Sequence, residues 1–168
     1  AQKSAEIFRA AGTPHNPKVA ISFNRYYTSE GLAALGKKIA EAHPNLVKRK
    51  SIGKSSEGRD IWMLAITNYK KGNADRKPGF YVDGNIHSNE IQGGEICLYT
   101  AWYLTENFGD NDYINKMMDE RIFYIVPTIN PDARNNYMLE PNTASSPRSG
   151  MISLDDDRDG KFDEDGYD

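Results

Sequence analysis

His87-Ser88-Asn89-Glu90 sets an imidazole and a carboxylate three residues apart. Across a single turn both side chains can point the same way, offering one ring nitrogen and two oxygens to one ion. His and Glu with a second His form a catalytic zinc ligand set that leaves a position open for water. Zinc so held lowers the pKa of that water to about 7 and polarises a carbonyl. The spacing alone is weak, because ordinary composition puts Glu three places after a given His about 6% of the time. The competing reading is a surface histidine beside a helix-start glutamate.

A second group of oxygen donors lies near the C-terminus. Asp155-x-Asp157-x-Asp159-Gly160 has the alternate carboxylates and the glycine of the first half of a calcium loop. An EF-hand needs Glu six residues after that glycine, and Gly166 stands there. A different oxygen cage is therefore expected, completed by Asp163, Glu164 or Asp165. The competing reading is a solvated acidic run. Cys97 is the single cysteine, which excludes an intrachain disulfide and a thiolate metal site. Between Ile96 and Leu98 it reads as a small buried hydrophobe.

The elements that must position these residues are legible from periodicity. Leu32, Leu35, Ile39 and Ala42 recur at helical steps, with Thr28 or Ser29 as cap and His43-Pro44-Asn45 as stop. His43 suits a helix C-terminus and reads as structural. Leu46–Ile52 and Asp60–Thr67 read as strands joined in a hairpin through Gly53–Arg59. Gly79–Asn85 reads as a strand running straight into the His87 segment. A helix is expected from about Glu90 to Asn107, where Gly93-Gly94 imply tight packing or close backbone approach. Asp110–Met118 reads as a shorter helix and Arg121–Ile129 as an apolar strand. Strand, helix, strand with short connections predicts an α/β sheet with parallel pairing. Residues 1–24 read as an extended lead-in, and after Asn135 the pattern fails. His87 and Glu90 thus fall at the carboxyl end of a strand, where ligands collect in open α/β sheets.

The 168 residues fit one domain, and ten Tyr, six Phe and two Trp argue against global disorder. No run of about 18 apolar residues is present, so no membrane span is expected. Mean hydropathy is −0.71 and pI is near 5.7. Net charge is −3, of which residues 155–168 contribute −6, leaving the preceding residues at +3. Nothing in that balance calls for nucleic acid as a partner. The start, Ala1-Gln2-Lys3, shows no signal peptide and is compatible with one already removed.

Ser51–Ile61, with Gly53-Lys54-Ser55-Ser56-Glu57-Gly58-Arg59 inside it, is similar to the G-x-S-x-E-G-R hairpin of the zinc carboxypeptidase family of metallopeptidases. Gly84–Glu90 resembles that family's metal motif. Ile125-Val126-Pro127-Thr128-Ile129-Asn130-Pro131-Asp132 resembles its P-x-x-N-P-D segment. Order and spacing agree from about residue 20 to residue 150. The resemblance implies that His87 and Glu90 are two of three zinc ligands. It implies an α/β fold with a mixed, partly parallel sheet packed between helices, of which this chain holds the first half. Arg148 looks like the family arginine that stabilises the tetrahedral oxyanion, its alternative being a solvated loop arginine. Asn89 stands where the family often has Arg, and is expected to touch substrate. Ala133 replaces the usual glycine after Asn-Pro-Asp.

The family's third ligand is a downstream histidine and its general base a later glutamate. Here His15 and His43 both precede His87. Residues 1–168 are therefore expected to be the N-terminal part of one catalytic domain, with an acidic insertion beginning near residue 150. The remainder would come from downstream sequence or another chain. The expected activity is zinc-dependent hydrolysis of C-terminal peptide bonds on a peptide or protein substrate, with the isolated fragment inactive. Expected cofactors are zinc, and calcium at Asp155, Asp157, Asp159 and Asp163. The expected location is secreted or periplasmic. The alternatives are a zinc amidase acting on acylated amino acids or cell-wall peptide, and a non-catalytic calcium-stabilised binding domain.

Overall fold

Thr28 starts α1 (Ser29–Ala42) by accepting the Gly31 N–H on its hydroxyl, as an N-cap does for an orphan donor. Leu32 and Ile39 then share the buried stripe of the helix. In the computed structural model, residues 13, 14, 16–141, 155 and 158–162 are described. Next comes the antiparallel hairpin of β1 (Val47–Lys54) and β2 (Asp60–Ile66), with a register shift between Ser51 and Gly53. β3 (Gly79–Asp83), α2 (Ile91–Glu106), α3 (Asp112–Glu120), β4 (Ile122–Val126) and α4 (Pro131–Leu139) follow.

The sheet order is β1-β2-β4-β3. β4 runs antiparallel to β2 and parallel to β3, so the expected mixed, partly parallel α/β sheet is what forms. A parallel pair needs a crossover, and α2 with α3 supplies it. Leu64 lies opposite Ile125, and Ile66 opposite Phe123, so these four share one face. Leu32 and Ile39 of α1, Leu98 and Trp102 of α2, and Met118 of α3 join them in one buried cluster. Side chains alternate across a strand, so Ala65 faces the other way. There Tyr69 donates its hydroxyl to the Ala65 carbonyl at 3.2 Å and lies under the Lys48 ammonium, 4.3 Å from its ring centroid. Among the described residues the helices that join the core cluster therefore cover one face.

Several boundaries differ from the sequence reading. β3 stops at Asp83 rather than Asn85, because Asn85 takes a left-handed φ of 57°. β4 ends at Val126, before Pro127, which has no N–H to continue a ladder. α4 runs through Asn135, the point after which no pattern was expected, and on to Leu139. Asn130 caps it by accepting the Ala133 N–H, and Pro131 occupies its first turn. The described part of the expected extended lead-in is anchored to α2. Val19 and Ile21 are buried, Trp102 donates its indole N–H to the Val19 carbonyl at 2.7 Å, and the Glu106 carboxylate accepts the Lys18 and Val19 N–H groups.

Candidate metal centre

The loop from Gly84 to Glu90 leaves β3 and enters α2 under close constraint. A Cβ on Gly84 would sit 2.5 Å from the Gly93 carbonyl oxygen, and one on Gly94 would sit 2.7 Å from an Arg134 nitrogen. The two glycines of α2 therefore serve the close backbone approach that their occurrence in a helix implied. Asn85, left-handed and buried, turns its amide N–H to the His87 carbonyl at 2.7 Å. The Asn130 side chain holds the Ile86 carbonyl at 3.1 Å. Cys97, packed below the loop, is buried as expected, and burial pushes its thiol up to about 11.

Within this frame the two expected ligands come together. His87 Nδ1 lies 2.9 Å from Glu90 Oε1, and Glu90 Oε2 accepts the His87 backbone N–H at 3.2 Å. The imidazole is 32% exposed and the carboxylate 45%, so both reach solvent from an ordered loop. One imidazole nitrogen beside one carboxylate is a donor pair suited to zinc. Ser88, between them, is fully buried and its hydroxyl has no hydrogen-bond partner among the described residues. The residues present therefore fit two positions of a zinc site.

The third position is not filled among the described residues, where no group of three or more His, Cys, Asp or Glu side chains gathers. His43 is 6% exposed, and its Nε2 is held 2.9 Å from Glu106 Oε1. It reads as structural, as expected, but its partner is a buried carboxylate on α2 as well as the helix end. Asn89 is exposed beside Glu90. Arg148, Asp157 and Asp163 lie outside the described residues, as does His15. Asp155 and Asp159 are described: the Asp155 carboxylate accepts the Asp159 and Gly160 N–H groups at 3.1 and 3.0 Å, and Asp159 pairs with Lys161.

Arg134 on α4 and Glu95 on α2 escaped the sequence reading, and Asp132 entered it only as the end of the Asn-Pro-Asp segment, with no role given. Asp132 accepts from Ser55 Oγ at 2.7 Å, from the Glu57 N–H at 3.0 Å and from Arg59 at 2.7 Å, fastening the hairpin turn to α4. Burial opposes its ionisation, but the Glu57 N–H and the Arg59 guanidinium prevail and hold it below the usual carboxylate range. Arg134 is 0% exposed and meets Glu95 Oε1 at 2.6 Å. The signal for Asp132 and Arg134 was the Asn-Pro pair, which announces a helix start and hence which residues face inward. Glu95 carried a fainter one, a charged residue at a core-facing step of α2.

A cleft of about 230 Å³ between α1 and the hairpin is lined by Arg49, Trp62, Leu64 and Thr128 among others. Neither His87 nor Glu90 lines it, so the case for the site rests on donor geometry and not on cavity volume.

Comparison with known proteins places the sequence and the fold. The zinc carboxypeptidase family model matches residues 32–139. Mouse (Mus musculus) carboxypeptidase M is 32% identical over 116 residues, covering 69% of this chain and 26% of that protein. The zinc carboxypeptidase of Saccharothrix mutabilis subsp. capreolus is 36% identical over 90 residues, covering 54% of this chain and 20% of that protein. The carboxypeptidase A structure from Helicoverpa armigera superposes with a TM-score of 0.63 at 25% identity, covering 78% of this chain and 31% of that one. The chain thus spans about a quarter of carboxypeptidase M and less of the other curated relative. With a family model matching residues 32–139 and a 32% identical relative over 69% of its length, this chain belongs to the zinc carboxypeptidase family.

Proposed function

We propose that this chain supplies two of the metal ligands of a zinc-dependent exopeptidase that removes C-terminal residues from a peptide or protein. The observation that carries the reading is the convergence of His87 Nδ1 and the Glu90 carboxylate at 2.9 Å on a loop clamped at both ends. Bound there, zinc supplies Lewis acidity towards a scissile carbonyl and a water of lowered pKa. The chain's own residues hold and orient: His87 and Glu90 fix the ion against the end of β3, and Asn89, exposed next to Glu90, contacts substrate. Arg148 is assigned to the developing oxyanion.

The third ligand and the general base are assigned to further sequence of the same domain or to another chain. β3 supports this, because Phe80 and Tyr81 are 56% and 54% exposed on it, although parallel strands are normally covered. Calcium at Asp155, Asp157, Asp159 and Asp163 is part of the same proposal, supported by alternate carboxylates and by the turn folded around Asp155. A secreted or periplasmic location suits such a site, since extracellular calcium modules work at about 10⁻⁴–10⁻³ M.

The test compares the 168-residue chain with a protein in which its continuing sequence is present, on a peptide with a free C-terminus. The chain alone is expected to show no turnover, since loss of a general base alone costs about 10²–10⁴-fold. The continuous protein is expected to turn over and to lose activity in His87→Ala. Robust hydrolysis by the chain alone overturns the division of the site.

A further inference from the structure

The guanidinium of Arg134 has five N–H groups, and each finds an acceptor. Nε donates to the Tyr27 carbonyl at 2.8 Å. Nη2 donates to the same carbonyl at 2.6 Å and to Glu95 Oε1 at 2.6 Å. Nη1 donates to Asn85 Oδ1 at 2.7 Å and to the Ile91 carbonyl at 2.7 Å. The last pair matters for the metal centre, because Asn85 precedes the ligand segment and Ile91 follows it. One buried nitrogen therefore pins both ends of the loop that carries His87 and Glu90. The Asn85 amide then passes the constraint inward, its Nδ2 donating to the His87 carbonyl at 2.7 Å. With Oδ1 committed to a cation, that amide has a single consistent orientation.

We infer that Arg134, acting through Asn85, is the positioning residue of the metal centre and sets its affinity. This rests on the reading of His87 and Glu90 as zinc ligands. A ligand pair three residues apart on a loop has a large conformational freedom to lose on binding. Clamping both loop ends to one rigid, fully satisfied guanidinium removes that freedom before the ion arrives. Outer partners of metal ligands generally govern affinity in this way, and their loss costs about 10–100-fold. Lysine cannot replace the arginine, because its point-like ammonium cannot reach Asn85, Ile91, Tyr27 and Glu95 together.

The experiment is Zn²⁺ titration of the chain by calorimetry, with near-UV circular dichroism confirming that each variant is folded. Arg134→Lys and Asn85→Gly are expected to weaken Zn²⁺ binding at least tenfold. Asn85→Gly keeps the left-handed turn open to the backbone and removes only the amide, so it carries the test if Arg134→Lys fails to fold. Combined, the two substitutions should cost less than the sum of each alone, since they cut one path. His43→Gln breaks the buried pair with Glu106, and is expected to lower Tm while leaving Zn²⁺ affinity unchanged. If His87→Ala loses Zn²⁺ but Arg134→Lys and Asn85→Gly bind within twofold of the parent, the positioning role is wrong and the ligand assignment stands. If His43→Gln weakens Zn²⁺ as much as they do, affinity merely follows stability and the role is also wrong. If His87→Ala binds Zn²⁺ unchanged, the ligand reading falls and the inference with it.

Discussion

Arg134 and Glu95 form an ion pair of 2.6 Å with side chains 0% and 10% exposed. Burial weakens the guanidinium's hold on its proton and Glu95 offsets part of that loss, so each charge depends on the other. Removing one partner of such a pair strands the other in a low-dielectric site, at a cost of about 3–5 kcal/mol. Glu95→Gln should therefore lose several kcal/mol in urea unfolding, while Glu57→Gln at the partly exposed contact with Arg59 should lose about 1 kcal/mol or less. Equal losses would mean that the buried pair has no special weight. Cys97 gives a second test at this scale. With its thiol pushed up to about 11 and its side chain buried, it should stay unlabelled by a thiol reagent at pH 8 and react fully once the chain is unfolded. Prompt labelling of the folded chain would contradict that burial. His87 and Glu90 were legible in the sequence because their chemistry is local, three residues apart. Arg134 and Glu95 were not, because they meet across 39 residues and neither lies in a recognisable motif.

At the scale of elements, α4 is the piece that ties the site together and the piece that the sequence concealed. Its buried residues include Asp132, Arg134 and Asn135, so its inward face is polar and leaves no apolar stripe to read. The cap and the first-turn proline were present in the sequence, but a helix without hydrophobic periodicity gives them nothing to introduce. By contrast α1, the hairpin and α2 are amphipathic or strongly apolar, and their limits fell within a residue or two of expectation. The hairpin turn depends on α4 through Asp132, which yields a pH prediction. Its folded-state carboxyl titrates below the ordinary 3.8, so the contribution to stability is complete above that value. It is lost as pH falls through the lowered folded value. Asp132→Asn should be less stable than the parent at pH 6, and the gap should close on acidification towards pH 3 and below. A gap of constant size from pH 6 to pH 2, followed by thermal melting, would remove the ionised carboxylate from the account.

For the whole molecule, the relevant contrast is between a well-buried core and an open edge. Ile66, Ile125, Leu98 and Met118 are fully enclosed, yet β3 at the sheet's end presents exposed aromatics along an edge that no other strand pairs among the described residues. The sequence showed the strand but not its position at the edge, since order within a sheet is set by long-range pairing that periodicity does not encode. A core closed on one side and a site holding two of its ligands belong together in the proposal of a catalytic domain continued by further strands. The most direct test is zinc X-ray absorption on the Zn²⁺-loaded chain. Three histidines are present in it, and one of them, His43, is already committed to Glu106. The account predicts a single imidazole at about 2.0–2.1 Å among oxygen ligands, lost in His87→Ala and retained in His43→Ala. An imidazole signal that persists undiminished in His87→Ala would contradict it.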